Sequence, residues 1–327
     1  MIDFPKIVVI TPVKNEAWIL ERFLQVTSEF ADHIIIADQN STDGSRNICM
    51  KYAKVHLIEN SNAQYNEASR QKLLIETARK LVPGPRILLA LDSDELLAAD
   101  AMETIEWKRM LNAKPGTILY FEKPDLLHSL HQAIRYRSSW PLGYVDDGCE
   151  HNPRIIHSVR IPQPDYAVHM DLYNIKILHY ALTRPAAQAS KMRFYSVLEN
   201  VNHTMKFYTR RKGYGLKRDF TKEGTVEPSN PLWFEGWTKK GIDMFTISNS
   251  DYYWQDFEVL KLFKKHGYKK FWLDDIWYFD WEKFRKHAIS IGEAPNYPIK
   301  NPPALLVIML RICDNLQRLY NRFKYIK

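Results

Sequence analysis

The chain has 327 residues, which is enough for one large domain or for one domain with a substantial appendage. Its hydrophobic content of 45% and its charged content of 26% are ordinary for a folded soluble protein. The three cysteines are far apart and lack metal-ligand spacing, which argues against a disulfide framework and fits a reducing compartment. The formal net charge of +8 admits a polyanion, an anionic membrane surface or a phosphorylated substrate as partner, without choosing among them.

The N-terminal part of the chain alternates between apolar, β-branched runs and segments with helical periodicity. The apolar runs predict strands at residues 6–13, 33–37, 55–58 and 86–91. Between them the sequence predicts a helix capped by Asn15 and further helices at 45–53 and 64–81. This order predicts an α/β fold, with a doubly wound, mostly parallel sheet, right-handed crossovers and helices on both faces.

Beyond residue 98 the pattern is less regular. We predict a helix at 101–111, strands at 117–121, 154–161 and 175–180, a basic helical segment at 186–212 and a helix at 251–267. Residues 213–241 contain Gly, Pro and Trp without periodicity, which predicts a loop or a lid. Many of the aromatic residues fall in the second half, so we expect a helical, aromatic-rich C-terminal extension.

Two carboxylates one residue apart, Asp92 and Asp94, follow the apolar run that ends at Leu91. Open α/β sheets bind their ligands at this end of their strands. In an extended segment the two side chains would point the same way, about 6.6 Å apart at roughly 3.3 Å per residue. They could then hold Mn²⁺ or Mg²⁺, which prefer oxygen ligands and leave positions open for phosphate. The alternative interpretation is a helix start, with Asp92 or Ser93 as the cap.

Four motifs together resemble one half of a known enzyme family. Their sequences are Thr11-Pro-Val-Lys-Asn-Glu16, Asp38-Gln-Asn-Ser-Thr-Asp-Gly-Ser45, Ser69-Arg-Gln71 and Asp92-Ser-Asp-Glu95. In this order and spacing they resemble the nucleotide-sugar half of a family-2 glycosyltransferase, which has the GT-A fold. The resemblance covers residues 6–100 most closely and 140–195 more loosely.

The resemblance implies a set of donor-binding residues, namely Thr11, Pro12, Val13, Asn15, Glu16, Asp38, Arg70, Asp92, Ser93 and Lys191. The first loop and Asp38 would hold the nucleobase, and Arg70 would lie near the diphosphate. Lys191 and Arg193 could neutralise the leaving nucleoside diphosphate. Several of these residues also have ordinary structural interpretations, because Asp38 can form a turn and the basic residues can be solvated helix faces.

The resemblance also implies a divalent metal, Mn²⁺ or Mg²⁺, bound by Asp94, Asp92 and a histidine late in the core. His179 is the best match and His169 is the reserve candidate, although a lone strand histidine is more often structural. An inverting enzyme also needs a carboxylate base. The usual Glu-Asp pair of the family is absent here, and Asp147, Asp146 and Glu150 are the candidates, with Asp147 preferred. A turn rich in Asp and Gly is the alternative.

The C-terminal segment after residue 301 predicts an amphipathic helix with a broad apolar stripe and a basic flank. The stripe consists of Leu305, Leu306, Ile308, Met309, Ile312, Leu316, Leu319 and Phe323, and the flank consists of Arg311, Arg318, Arg322, Lys324 and Lys327. Such a helix can lie on an anionic membrane surface, pack on the domain or form a dimer contact. Because the chain shows no signal-peptide pattern and no run of roughly 18 apolar residues, we expect a cytoplasmic protein, with peripheral attachment to a membrane as an option.

The resemblance thus implies an inverting, metal-dependent glycosyltransferase that moves a sugar from a nucleoside-diphosphate donor, with UDP favoured, to a hydroxyl of a glycan or lipid-linked acceptor. The expected division is 1–100 for the nucleotide sugar, 101–200 for the acceptor, 201–300 for an extension and 301–327 for the basic helix. A nucleotidyltransferase is one alternative, but residues 11–18 lack the glycine of a phosphate loop. A basic nucleic-acid or membrane-binding module leaves the Asp-x-Asp unexplained, and no nucleic acid partner is expected.

Overall fold

The computed structural model describes residues 4–60, 66–153, 158–202, 205–216, 218–293 and 297–324, with the side chains of the last helix as far as residue 316. The chain forms two compact units. The first consists of Met1–Arg184 with Thr221–Asn249, and the second of Pro185–Phe220 with Ser250–Lys327. The sequence analysis divided the chain into four segments by their expected roles in binding donor, acceptor and membrane. The two compact units do not test these roles, so the four segments stay a prediction.

The first unit is built on one large sheet. Its strands are β1 (Lys6–Val13), β2 (His33–Asp38), β3 (Val55–Glu59), β4 (Arg86–Ala90), β5 (Glu95–Leu97), β6 (Thr117–Glu122), β7 (Asp125–Leu126), β8 (Gln132–Arg135), β9 (Trp140–Val145), β10 (Val168–His179) and β11 (Thr225–Pro228). The helices of the chain are α1 (Ala17–Ser28), α2 (Ser45–Cys49), α3 (Glu67–Leu81), α4 (Ile105–Leu111), α5 (Pro185–Asn202), α6 (Phe207–Tyr214), α7 (Leu232–Lys239), α8 (Trp254–His266), α9 (Trp281–Ser290) and α10 (Ala304–Lys324).

The strands follow the order β11-β8-β7-β10-β6-β9-β4-β1-β2-β3, and β5 pairs with β10. The β3-β2-β1-β4 half is parallel throughout. In the other half β9 runs antiparallel to both β4 and β6, while β6 and β10 are parallel to each other. The predicted α/β fold with a doubly wound sheet is therefore confirmed, with a mixed second half.

Alternating side chains of the central strands explain why helices cover both faces. Val8 and Ile10 of β1 pack in one core cluster with residues of α3, whereas Ile7 and Val9 pack in the other with residues of α1. A strand that is buried on both faces reads as a continuous apolar run, since successive side chains point to opposite sides. For this reason the predictions for the first strands agree with the structure to within one residue at each end.

Two predictions were wrong and one strand was missed. Residues 213–241 are not one loop, because they contain β11 and α7, and the Trp237 indole is buried with its Nε1 donating to Leu97 O at 2.8 Å. The stretch around Trp140 forms the central strand β9, which was not predicted. Residues 158–161 of the strand predicted at 154–161 are not in a strand, and residues 154–157 lie outside the described part of the chain.

The second unit is helical, and aromatic side chains fill its core, as predicted for the extension. Phe263 stacks on Trp277 with ring centroids 5.5 Å apart and meets Trp281 edge-on at 5.0 Å. The Arg193 guanidinium is buried in a two-point ion pair with Asp256, at 2.8 and 2.6 Å. Arg193 is therefore a structural residue, and its predicted diphosphate role was wrong. Among the described helices, none is both long enough and apolar enough to cross a lipid bilayer.

Candidate active site

The predicted donor residues of the first unit meet at one edge of the sheet. In the register of the parallel strands, Ile10 of β1 pairs with Ala90 of β4, and Val13 pairs with Asp38 of β2. Asp92 and Asp94 follow β4 directly, so they emerge at this carboxyl edge, where α/β sheets place their ligands.

Asp92 and Asp94 lie in a tight turn and have different partners. Glu95 N donates to Asp92 O at 2.9 Å, and the chain then enters β5, which runs antiparallel to β10. This turn replaces both the extended segment and the helix start that the sequence suggested. Asp92 pairs with Arg160 at 2.6 Å, whereas Asp94 faces His179. The two carboxylates therefore have different partners, and the role of Asp92 as a metal ligand stays a prediction.

Asp94 and His179 form the core of the site. The Nε2 atom of His179 lies 3.6 Å from Asp94 Oδ2, and Tyr180 N donates to Asp94 O at 2.9 Å. Both side chains are mostly buried, with 15% and 16% of their surfaces exposed. The reserve candidate His169 lies ten positions earlier on β10, where it pairs with Ile118 near the start of β6. The structure therefore brings His179 to Asp94 and keeps His169 away.

The other ring nitrogen of His179 is held by Asp125. Nδ1 is hydrogen-bonded to Asp125 Oδ1, and Asp125 Oδ2 accepts from the Tyr136 hydroxyl at 2.5 Å. Although burial alone would raise the pKa of Asp125, His179 and the Tyr136 hydrogen bond keep that pKa below its ordinary value. An ionised Asp125 can only accept, so Nδ1 carries a hydrogen, and Nε2 is the ring nitrogen that faces Asp94.

A buried ionic network supports the turn. The Glu95 carboxylate is fully buried and accepts from Lys123 Nζ at 2.8 Å, from Arg160 Nη1 at 2.5 Å and from Asp92 N at 2.9 Å. Lys123 in turn lies 4.3 Å from the centre of the Trp140 ring. Glu95, the last residue of the Asp-Ser-Asp-Glu motif, therefore holds two cations in place at the edge of the site.

We call this group of side chains the edge cluster; it consists of Asp92, Asp94, Glu95, Lys123, Asp125, Arg160 and His179. With His179 neutral, its carboxylates outnumber its cations by two, which is the charge that one divalent ion neutralises. In the described part of the chain, no group of three or more His, Cys, Asp or Glu side chains is arranged to hold a metal ion. Asp94 and His179 would supply two ligands, and Mg²⁺ and Mn²⁺ commonly complete their shells with phosphate oxygens and water. The residues present therefore fit such an ion together with a diphosphate.

The predicted nucleobase loop is held by side-chain hydrogen bonds. Asn15 has a positive φ of 55° and does not cap α1; its Oδ1 accepts from Thr42 N at 2.7 Å. Glu16 is the residue that precedes α1, and its carboxylate accepts from Trp18 Nε1 at 2.7 Å. The Asp38 carboxylate is buried at the end of β2 and pairs with Arg46 at 3.0 Å.

The remaining donor candidates are spread over both units. Thr11 is fully buried in β1, and Pro12 and Val13 complete that strand. Ser93 is buried in the turn after β4, and Arg70 lies in the first turn of α3, which begins at the carboxyl edge because it follows β3. Lys191 lies on α5 in the second unit. The roles of these residues in donor binding stay predictions.

The predicted catalytic bases lie at the opposite edge of the sheet. Because β9 runs antiparallel to β4, Val145 pairs with Ile87, and Asp146 N donates to the carbonyl of Arg86, the first residue of β4. Asp92 is six residues further along, about 20 Å away at roughly 3.3 Å per residue. The prediction that Asp146 or Asp147 acts at the Asp94 site was therefore wrong.

Both aspartates have structural partners instead. The Asp146 carboxylate is fully buried and pairs with Arg79 at 2.7 Å and with Arg86 at 2.6 Å. Asp147 accepts from the hydroxyls of Tyr144 at 2.6 Å and Tyr166 at 2.7 Å. Glu150, the third candidate, is 75% exposed and lies 3.9 Å from Lys72 in the middle of α3.

We therefore expect Asp147→Asn to leave transfer close to that of the unchanged protein. Its loss of charge-assisted hydrogen bonds should lower the unfolding free energy by about 1 kcal/mol, because the residue is partly exposed. Steady-state transfer and urea unfolding of the same preparation measure both quantities. A loss of two to four orders of magnitude in transfer with normal stability is the signature of a general base. That result would contradict the structural role given to Asp147 here.

Sequence reasoning missed four members of the edge cluster, namely Glu95, Lys123, Asp125 and Arg160. Lys123 and Asp125 directly follow β6, so the signal that identified Asp92 and Asp94, polar residues after an apolar run, was also present there. Arg160 had no such signal, because it lies outside any strand or helix and 68 residues from its partner Asp92.

Comparison with solved structures gives only weak likenesses. Glucosyl-3-phosphoglycerate synthase from Mycobacterium tuberculosis, in complex with Mn²⁺, uridine diphosphate and glucosyl-3-phosphoglycerate, aligns at 16% identity and a TM-score of 0.27, over 37% of this chain and 44% of that one. A 4-diphosphocytidyl-2C-methyl-D-erythritol synthase aligns at 14% and 0.29, over 37% of this chain and 61% of that one. The corresponding synthase from Anaerococcus prevotii DSM 20548 aligns at 16% and 0.27, over 54% and 69%. Scores this low support no conclusion about activity.

No curated protein matches the chain. A family model does match part of it, and the match spans residues 8–107, from β1 into α4, including the first loop, Asp38, the start of α3 and the Asp92–Glu95 turn. The family is described as glycosyl transferase family 2, so the resemblance predicted from the four motifs is confirmed over this segment.

Proposed function

We propose that the protein is an inverting, metal-dependent glycosyltransferase that moves a hexosyl group from a nucleoside-diphosphate sugar, with uridine as the base, to a hydroxyl of a glycan or lipid-linked acceptor. One observation carries the metal-dependent part. Asp94 Oδ2 and His179 Nε2 face each other at 3.6 Å, and Nδ1 is bonded to Asp125, so that in the neutral imidazole both facing atoms are acceptors. Two acceptors in a mostly buried site repel each other unless a cation or a proton lies between them.

The edge cluster provides the groups that this reaction needs. A bound Mn²⁺ or Mg²⁺ would neutralise charge on the departing diphosphate. Asp94 and His179 would hold it, and Arg160, fixed by Glu95 and Asp92, supplies a second positive charge at the same edge. The Asp38 carboxylate ends β2, which is separated from β4 by β1, and it suits the imide N–H of uracil or a ribose hydroxyl.

The inverting outcome and the hydroxyl acceptor rest on the family resemblance alone. An inverting reaction requires a carboxylate base on the acceptor side. We do not assign that role to Asp146 or Asp147, because Asp146 N donates to Arg86 O at the other end of β4. The proposal therefore assigns donor and metal residues and assigns no base.

A screen of nucleoside-diphosphate sugars for slow donor hydrolysis tests the proposal. We expect release of the nucleoside diphosphate from a uridine-linked sugar in the presence of Mn²⁺, and its loss in excess chelator. Glu106→Gln, remote from the edge cluster and in contact with Asn174, is a matched control for the loss of one carboxylate. Hydrolysis that persists in chelator would contradict the metal-dependent mechanism, and the absence of hydrolysis and of donor binding across the screen would contradict the function.

We extend the proposal to the C-terminal helix, which we assign to an anionic membrane surface. Its apolar stripe is exposed in the second unit, with Leu305 at 70%, Ile308 at 53%, Met309 at 55%, Ile312 at 52% and Leu316 at 60%. Spacings of three and four residues put these side chains on one face of α10, and the exposed Arg311 adds positive charge. The predicted stripe and flank residues beyond 316 lie outside the described side chains. An exposed apolar face with basic neighbours suits the interface of an anionic bilayer.

Replacing Ile308 and Ile312 together by Asp should release the protein from vesicles that contain an anionic phospholipid. Each buried isoleucine contributes about 1.5 kcal/mol or more, so the pair should change the partition coefficient by roughly 100-fold. Co-sedimentation measures it, and Ile105→Asp, at an exposed isoleucine of the first unit, is the control. Donor hydrolysis should persist in both variants. Unchanged vesicle binding, or a change from dimer to monomer without vesicle binding, would contradict the membrane assignment.

A further inference from the structure

Asp125 is placed by the sheet itself beside His179. Asp125 is the first residue of β7, and it pairs in parallel register with His179 at the end of β10. Next to this pair, His179 N donates to Pro124 O at 3.0 Å, so backbone and side chain both join the two segments. The Asp125 side chain is only 12% exposed, and the ring it contacts is 15% exposed. The contact is thus defined by the fold and not by a mobile surface chain.

The partners of Asp125 leave it no free oxygen for a substrate. One carboxylate oxygen is bonded to His179 Nδ1 and the other accepts from the Tyr136 hydroxyl. A carboxylate that is hydrogen-bonded on both oxygens restrains the ring about its Cβ–Cγ bond and selects one tautomer. Histidines that bind metals usually have this kind of support on their second nitrogen.

We propose that Asp125 is a positioning residue, which fixes the His179 ring so that its Nε2 atom faces Asp94 and can bind the divalent ion of the donor complex. This inference rests on the proposed function. The Tyr136 hydroxyl stabilises Asp125 in turn. Two consecutive hydrogen bonds, from Tyr136 to Asp125 and between Asp125 and His179, therefore lead to the proposed metal position. Neither Asp125 nor Tyr136 contacts the ion in this arrangement.

Affinity for Mn²⁺ in the presence of uridine diphosphate, measured by electron paramagnetic resonance of the free ion, tests the proposal without any turnover. Asp125→Asn should weaken Mn²⁺ binding by about 10–100-fold, the usual effect of losing such a supporting carboxylate. In a His179→Ala background, measured at millimolar Mn²⁺, the same change should have no further effect. Asp171→Asn, on the same strand as His179 but bonded to Ser139, is the matched control and should bind Mn²⁺ normally.

The outcomes separate this inference from the proposed function. If His179→Ala binds Mn²⁺ as tightly as the unchanged protein, the proposed metal site fails. If His179→Ala weakens binding and Asp125→Asn does not, or if Asp125→Asn weakens it equally in both backgrounds, only the positioning role is overturned. Should Asp125→Asn fail to fold by circular dichroism, Tyr136→Phe decides: a smaller weakening confined to the background with His179 supports the role, and normal binding overturns it.

Discussion

Asp94→Asn is expected to lose about 10³-fold or more in transfer while unfolding at nearly the same temperature as the unchanged protein. A metal ion contributes several kcal/mol to the stabilisation of a departing phosphate, and each 1.4 kcal/mol is a factor of ten. The asparagine keeps the shape of Asp94 but removes the charge that faces His179 Nε2 at 3.6 Å. In the structure the Asp94 side chain has no salt bridge to a lysine or arginine within the described residues, so its neutralisation leaves no cation without a partner.

Transfer, Mn²⁺ affinity and thermal unfolding should be measured on the same preparations of Asp94→Asn and Asp171→Asn. The first variant should lose transfer and Mn²⁺ binding together, and the second should lose neither. Full transfer by Asp94→Asn, or full transfer by the unchanged protein in excess chelator, would contradict the metal mechanism. A large fall in the unfolding temperature of Asp94→Asn would show a structural role for that carboxylate instead.

The sequence predicted strand positions well where a strand is buried on both faces of the sheet. Strands β1, β2 and β4 are buried on both faces, so each is a continuous apolar run whose end is visible in the sequence. Asp38, Asp92 and Asp94 were identified because they follow such runs. Their location at one edge then follows from the parallel arrangement, which the alternation of strands and helices already implied.

The error in the catalytic base came from one unrecognised strand. β9 contains Pro141 and Gly143, which usually interrupt strands. Gly143 is required by packing, because a Cβ at this position would lie 2.9 Å from side-chain atoms of both Leu119 and Leu89. Since β9 runs against its neighbours, it carries Asp146 and Asp147 to the edge opposite Asp94, a direction that no local pattern reveals.

The partners within the edge cluster depend on contacts between distant residues. Arg160 and Asp92 are 68 positions apart, and His179 and Asp125 are 54 apart. Their pairing is set by the strand order β7-β10-β6-β9-β4, which places segments far apart in sequence beside one another. A single sequence does not reveal this strand order. The Asp92–Glu95 motif could therefore be recognised from the sequence, but the distant residues that contact it could not.

Glu95→Gln should lower the unfolding free energy by about 3–5 kcal/mol at neutral pH, in contrast to the change at its neighbour Asp94. The Glu95 carboxylate is fully buried, and so is most of Lys123, whose side chain is only 7% exposed. Neutralising Glu95 leaves the Lys123 ammonium and the Arg160 guanidinium without their central partner in a site that water reaches poorly. Urea unfolding at pH 7 measures the loss.

The same ion network predicts how the loss depends on pH. Although burial alone would raise it, Arg160 and Lys123 hold the pKa of Glu95 well below its ordinary value. A carboxylate whose pKa is lower in the folded than in the unfolded state stabilises the fold above its unfolded pKa, about 4.3, and that contribution is lost as the pH falls further. The difference in unfolding free energy between the unchanged protein and Glu95→Gln should therefore be constant above about pH 5 and decrease at lower pH.

A second substitution distinguishes a broken charge pair from a badly packed glutamine. The double variant Glu95→Gln, Lys123→Met also replaces the unpaired Lys123 ammonium by an apolar side chain of similar length. It should therefore recover a large part of the stability that Glu95→Gln alone loses. Lys123→Met alone should also be destabilising, because it removes one of the cations that hold the pKa of Glu95 low. Equal unfolding of Glu95→Gln and the unchanged protein at pH 7, or additive losses in the double variant, would show that the network contributes no stability through its charges.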